Sequence, residues 1–185
     1  MSRHPSILDR EQAALLIIDV QENFRRHLAD VGNLTRNISI LVEAAKILKL
    51  PVLVTEQYPQ GLGRTMAEIT ACLGEHQLFE KQCFSCCGID AFMAALGESG
   101  RRQIIVTGIE AHVCVSQTVH DLLSAGYQPH LITDAISARA QKNKEIALQK
   151  MTMSGAIPSA VEMGLFEMLV NSGTETFKAV QRLVK

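Results

Sequence analysis

Two kinds of apolar pattern alternate along the chain. "AALLIIDV" (Ala13–Val20) is a continuous apolar run of strand length that ends in an aspartate and a valine. The stretch "NLTRNISILVEAAKILKL" instead spaces Leu34, Ile38, Leu41, Ala45 and Leu48 by three and four residues, which marks a helix with one buried face. Pro51 then stops that helix, and "PVLVT" reads as a second buried strand. After the loop "EQYPQGLGRT", the pattern predicts a weak helix over Met66–Leu73, a short strand over His76–Lys81 and a glycine-closed helix in "GIDAFMAALGESG". Gln103–Gly108 is a further strand, and "AHVCVSQTVHDLLSAG" is its helix, closed by Gly126. "QPHLITD" reads as a strand and "SARAQKNKEIALQKM" as a helix capped by Ser137. "GAIPSA" is a last short strand before two terminal helices.

Strands apolar on both faces, alternating with helices, predict a doubly wound, Rossmann-like α/β fold. Its parallel sheet of five to six strands carries helices on both faces and right-handed crossovers. No repeat, low-complexity tract or linker interrupts the pattern, so a single domain is expected over residues 1–185.

Composition narrows the function. The hydrophobic fraction of 47% supplies an ordinary core, and a net charge of −1 lacks the basic excess of a nucleic-acid binder. The pairs Arg25, Arg26 and Arg101, Arg102 read as solvated surface. No run reaches the roughly 20 apolar residues of a membrane helix. The opening "MSRHPSILDREQ" has no apolar leader core or cleavage site, so a cytoplasmic location is expected. The five cysteines read as reduced thiols.

In open α/β sheets, sites form beyond the carboxyl ends of the strands. That rule selects Asp19; Thr55, Glu56 and Gln57; Lys81; Gly108 to Cys114; and Thr133 with Asp134. A carboxylate, an ammonium and a thiol thus converge on one sheet edge. Cys114 is expected in the first turn of its helix, where unpaired N–H groups and the dipole favour an anion. Lys81 would stabilise a thiolate and charge on an attacked carbonyl, and Asp19 would take the thiol proton and pass it to a leaving amine. Backbone N–H groups at Glu110 and Cys114 would face an oxyanion. Each member also has an ordinary reading: a buried small side chain for Cys114, a turn cap for Asp19, a solvated charge for Lys81. Their joint placement favours the catalytic reading.

These residues carry a resemblance. The chain resembles the isochorismatase-like cysteine hydrolases, a superfamily that includes nicotinamidases and N-carbamoylsarcosine amidohydrolases. "LLIIDVQENF" is similar to that family's strand and D-x-Q-x-x-F, "FEKQCFS" to its K-x-x-x-S segment, and "VTGIEAHVCVSQT" to its G-x-x-x-x-x-C segment. The resemblance covers nearly the whole chain and implies an Asp19–Lys81–Cys114 triad acting on a small amide or related C–N bond through a covalent intermediate, with no cofactor. It also implies a cis peptide between Ile109 and Glu110 and a homo-oligomer, for which "VEMGLFEMLV" would supply contacts. "VTEQYPQGLGRT" and "GIEAHVCVSQTVHDLL" look closest to the isochorismatase-domain-containing branch. Gln21, Phe24, Gln57 and Tyr58 are candidate pocket walls by position. Nicotinamidases bind a metal beside the pocket through an aspartate and histidines, whereas Thr55 to Phe79 here holds only His76, so neither a metal nor nicotinamidase activity is expected.

Rival readings rest on "CFSC". A Cys83/Cys86 dithiol would make a thiol redox protein, while zinc would need further ligands that no second C-x-x-C or paired histidine supplies. A non-catalytic scaffold would retain Cys114 for packing alone. "GLGRT" lacks the lysine of a phosphate loop and reads as a mobile flap.

Overall fold

The computed structural model describes residues 3–185; Met1 and Ser2, at the start of "MSRHPSILDREQ", lie outside the described residues. The first half runs β1 (Ala13–Ile18), a 3-10 turn (Glu22–His27), α1 (Val31–Leu48), β2 (Val52–Gln57), a single helical turn α2 (Pro59–Leu62), α3 (Ala67–Cys72) and β3 (Gln77–Lys81). The second half runs α4 (Asp90–Glu98), β4 (Gln103–Gly108), α5 (Ser116–Ser124), β5 (Gln128–Ile136), α6 (Gln141–Met153), β6 (Ile157–Ser159), α7 (Val161–Leu169) and α8 (Glu175–Val184). The strands form one parallel sheet in the order β3-β2-β1-β4-β5-β6. The chain builds outward from β1 on one side, then returns to lay β4 on the other. The topological switch point therefore falls at the carboxyl end of β1, beside Asp19.

β1 shows why the fold follows from the pattern. Its residues alternate between faces, and both faces are buried. Ala13, Leu15 and Ile17 join a core with Leu34, Ile38 and Leu41 of α1 and Leu165 of α7. Ala14, Leu16 and Ile18 join a second core with Phe92 and Leu96 of α4 and Val119 and Leu122 of α5. All five periodic residues of α1 are buried, as their spacing predicts. The helix ends before Pro51 is reached: Lys49 turns left-handed (φ 57°) and the Leu50 N–H closes back onto the Ala45 carbonyl at 2.9 Å.

The boundaries differ from the sequence expectation in three places. β5 continues to Ile136, so Thr133 and Asp134 lie within the strand. Their side chains hold β6 and α7: Thr133 donates to the Ser159 carbonyl at 3.0 Å and Asp134 accepts from the Val161 N–H at 3.0 Å. Ser137 does not cap α6, which starts at Gln141 after Ala140. Its backbone instead pins the turn after β4, accepting from Ala111 N–H at 2.8 Å and donating to the Gly108 carbonyl at 3.1 Å. "AHVCV" is a π-helical turn, Ala111–Val115, that leads into α5. Among the described residues, no helix is long and apolar enough to cross a membrane.

His130 is fully buried on β5 between Ile105 and Ile157. Its Nε2 lies 3.3 Å from Gln128 Oε1, while Nδ1 has no partner. Burial without a carboxylate pushes the imidazole down from 6.5 to about 4. The folded protein therefore refuses a proton that the unfolded chain takes up. The stability this confers is complete above 6.5 and is lost as pH falls from there towards about 4, by about 3 kcal/mol in full. Urea unfolding across that interval should show a His130→Leu variant with a shallower loss than the parent; identical slopes would refute the assignment.

Candidate active site

Three elements bring the predicted trio together. Asp19 follows the last residue of β1 and adopts φ 52°, a left-handed conformation that aspartate tolerates better than most residues. Lys81 ends β3, two strands away, and its long stem passes the end of β2 to bring Nζ within 2.6 Å of Asp19 Oδ2. Both side chains are buried, at 0% and 1% exposure. Cys114 enters from the other side on the π-helical turn. There the Glu110 carbonyl accepts from both Val113 N–H at 3.0 Å and Val115 N–H at 3.3 Å. The thiol lies close enough to Asp19 and Lys81 to feel the charge of both.

Gly108 makes this approach possible. It has φ 115°, and a Cβ there would lie 2.1 Å from the Ile18 carbonyl oxygen. Only glycine allows the end of β4 to close against the end of β1 and place the following turn beside Asp19. The Ile109–Glu110 peptide is cis. The Glu110 carboxylate is buried and accepts from both the Arg139 backbone N–H, at 3.1 Å, and its guanidinium Nε, at 2.9 Å.

The ammonium of Lys81 has more acceptors than protons. Asp19 Oδ2 and Gln57 Oε1 each lie 2.6 Å from it, the Phe84 carbonyl at 3.0 Å and the Cys83 carbonyl at 3.3 Å. Burial disfavours its charge, but Asp19 and the neighbouring thiols outweigh that, and the lysine is held above its ordinary value as a cation. Cys114 responds differently from the sequence expectation of a helix-stabilised anion. Burial pushes its thiol up, the Asp19 charge pushes it further, and the opposing pull of Lys81 does not overcome both. Burial and the nearby carboxylate thus favour the neutral thiol of Cys114.

The four candidate pocket residues separate. Gln21 is completely buried and its amide is fully engaged: Nε2 donates to Gln57 O at 3.0 Å and Gly63 O at 2.6 Å, and Oε1 accepts from Gln57 N–H at 2.8 Å. Phe24 packs against the α1 core. Gln57 gives its oxygen to Lys81 and its amide to the Gln82 carbonyl at 2.7 Å. Tyr58 alone of the four is half exposed. Phe84, just over half exposed and carrying a carbonyl bonded to Lys81, lies beside the site and went unrecognised in the sequence, where "CFSC" draws attention to its cysteines.

Those cysteines do not face one another as a pair. All five cysteines are free. Cys83 is exposed and its sulfur lies over Gly88, whereas Cys86 is buried and its thiol donates to Thr55 Oγ1 at 3.7 Å. Burial pushes Cys86 up to about 12 and Cys87 up to about 11. His76 lies just before the start of β3, at the opposite end of the strand from Lys81. "GLGRT" is tied down rather than loose: Arg64 donates to Glu56 at 2.9 Å and Glu80 at 2.5 Å, and Asn23 donates to the Gly61 carbonyl at 2.6 Å. Among the described residues, no cluster of three or more His, Cys, Asp or Glu side chains is placed to hold a metal.

Comparison with known proteins agrees with this architecture. A profile of the isochorismatase domain matches residues 13–163. The chain is 34% identical over 178 residues to the secreted isochorismatase effector Isc1 of Phytophthora sojae, covering 94% of this chain and 84% of that protein. It is 36% identical over 172 residues to isochorismatase domain-containing protein 2 of Macaca fascicularis, covering 92% and 82%. A structure described as the MAR1 ribonuclease of Caenorhabditis elegans superposes with a TM-score of 0.91 at 35% identity, covering 96% and 91%. The fold also matches YcaC of Escherichia coli, described as an octameric hydrolase of unknown specificity, with a TM-score of 0.91 at 20% identity, covering 98% and 91%. The sequence motifs, the parallel sheet and these relatives together establish that the chain belongs to the isochorismatase-like superfamily.

Proposed function

We propose that the protein is a cysteine hydrolase of small amides or related C–N bonds, with Cys114 as nucleophile, Asp19 as proton shuttle and Lys81 as electrostatic partner. The observation that carries this reading is a buried thiol close to a carboxylate that is itself ion-paired to a buried ammonium at the switch point of the sheet. Asp19 takes the thiol proton as sulfur bonds to the carbonyl carbon. The same proton passes to the nitrogen as the C–N bond breaks, leaving a thioester and a free amine. Water then attacks the thioester, gives a proton to Asp19 and releases the acid, and the thiol is restored. Lys81, already saturated with acceptors, acts through its charge. The N–H groups of Glu110 and Cys114 are the donors assigned to the oxyanion. Tyr58 and Phe84 are the walls that meet the substrate, while Gln21 and Gln57 brace the machinery and Phe24 packs behind it.

A screen of small primary amides and ureido compounds, read by ammonia release, tests the activity. On an accepted substrate, Cys114→Ala and Asp19→Asn should each lower kcat/KM by about 10³-fold or more, Cys114→Ala with stability little changed and Asp19→Asn with a loss of stability, because it strands the buried Lys81 charge. An acyl adduct should be trapped on Cys114. Lys81→Met should lose turnover and also about 3–5 kcal/mol of stability, because it leaves the Asp19 charge buried and unpaired. Activity that survives both Cys114→Ala and Asp19→Asn refutes the mechanism.

The nematode relative's description as a ribonuclease gives the same screen a second arm. Arg25, Arg64 and Arg139 are each engaged by carboxylates, which favours a small uncharged substrate over a polyanion. Single-stranded RNA should therefore remain intact under conditions where amides turn over; its cleavage, lost in Cys114→Ala, would replace the amide reading.

The proposed assembly is a homo-oligomer. Met163, Phe166 and Val170, spaced three and four apart at α7 and its end, leave an exposed apolar strip. Light scattering should give a mass that is a multiple of the 20.3 kDa chain and that falls on Phe166→Glu; a monomeric parent would refute it. The free thiols fit a reducing, cytosolic setting, although the water-mould relative is named as secreted.

A further inference from the structure

The mechanism above leaves two buried polar groups beside Asp19 without a role, Thr55 and Cys86. Thr55 is the fourth residue of β2, fully buried, and its hydroxyl donates to Asp19 Oδ1 at 2.7 Å. That is the carboxylate oxygen which Lys81 does not take. A hydroxyl has one proton and can send it only one way. The Asp19 carboxylate, which can only accept, sets that direction, and Cys86 supports it: its backbone N–H is held by Thr118 Oγ1 at 2.9 Å, and its thiol donates into the Thr55 oxygen at 3.7 Å. With the oxygen of Thr55 already accepting, its proton points at Asp19.

We propose that Thr55 is a positioning residue for the Asp19 shuttle, and that Cys86 acts through it as a neutral donor that orients the hydroxyl. The inference rests on the Asp19–Lys81–Cys114 reading and deepens it. Thr55 holds the unpaired oxygen of Asp19 in place and sets how readily the carboxylate accepts the thiol proton. Cys86 serves this purpose only while protonated, which its burial ensures. "CFSC" then owes its second cysteine to proton orientation rather than to redox exchange. The titratable groups facing Asp19 are Lys81 from β3, Cys114 from the π-helical turn and Cys86 from the turn before α4. Thr55 adds no charge to the site, so its removal changes hydrogen bonding alone.

The readout needs no substrate. Iodoacetamide modification of Cys114, followed against pH by peptide mass spectrometry, should show a neutral plateau that falls away on the acid side. Thr55→Val keeps the shape and deletes the donor, so the acid limb should move to higher pH by about one unit. Thr55→Ser should restore the parental limb. Cys86→Ala should move the limb the same way by a smaller amount, and Cys86→Ser should not. In the Thr55→Val background, Cys86→Ala should add no further shift, because its effect passes through the missing hydroxyl. Thermal melts identify any variant that fails to fold, and Thr55→Ala then replaces Thr55→Val. A parental limb in folded Thr55→Val overturns the role of Thr55, and additive shifts in the double variant overturn the route through Cys86. If Cys114 of the parent is not modified at any pH while Cys83 is, the triad itself fails and this inference falls with it.

Discussion

The ion pair between Asp19 and Lys81 is the constraint around which the sheet's carboxyl edge is built. Removing either charge from water costs several kcal/mol, and their mutual attraction offsets this only if the remaining donors and acceptors are also satisfied. That requirement explains the company they keep. Asp19 accepts the Thr55 hydroxyl on its second oxygen, and Lys81 donates to the Gln57 side-chain oxygen and to two carbonyls. β2 lies between the two charged residues and supplies one neutral partner to each, from positions two residues apart on one face of the strand. Gln57 is in turn fixed by Gln21, which also holds the Gly63 carbonyl. The pair is thus tied to the ends of three strands and to the loop that follows β2.

Cys114 meets this arrangement as a protonated thiol, and that has a chemical consequence. A resting thiolate is open to any oxidant or electrophile that reaches it. Here burial and the Asp19 charge favour the neutral thiol, so in the proposed mechanism the nucleophile forms only when its proton moves to the carboxylate. Lys81 balances the charge of Asp19, and in the proposed mechanism it would balance that of the sulfur after the transfer. A buried cation able to serve both states need not move, and its saturated hydrogen bonds hold it still.

Much of this was legible in the sequence. The unbroken apolar runs give buried parallel strands because both faces of the sheet are covered, and the spacing of Leu34 to Leu48 gives the one long helix. The rule that sites form beyond strand ends then places Asp19, Lys81 and Cys114 together, since all three follow or end strands. What escaped depends on long-range geometry. Ser137 looks like a cap because its residue type suits one, yet the register shift between β4 and β5 takes its backbone for the Gly108 turn. Gln21 and Gln57 look like pocket walls because they sit at the right edge, and only the fold reveals that their amides face inward. Thr55 is picked out by position, but nothing in its neighbourhood announces that its hydroxyl meets a residue 36 positions away.

The division between fixed and adaptable parts follows the same physics. Asp19, Thr55, Lys81 and Cys86 sit at or beside strand ends, buried and mutually bonded, where a shift of one would leave another unsatisfied. Tyr58 and Phe84 border the same centre from loops, are half exposed, and have only their backbones tied to Lys81, through Tyr58 N–H to its carbonyl and the Phe84 carbonyl to its ammonium. Their rings are free to differ without disturbing the charges behind them. A fold arranged in this way can keep one reaction centre while its loop side chains choose among substrates. On the proposed function, selection among small amides resides in Tyr58 and Phe84, and the capacity to cleave them in the buried groups beneath.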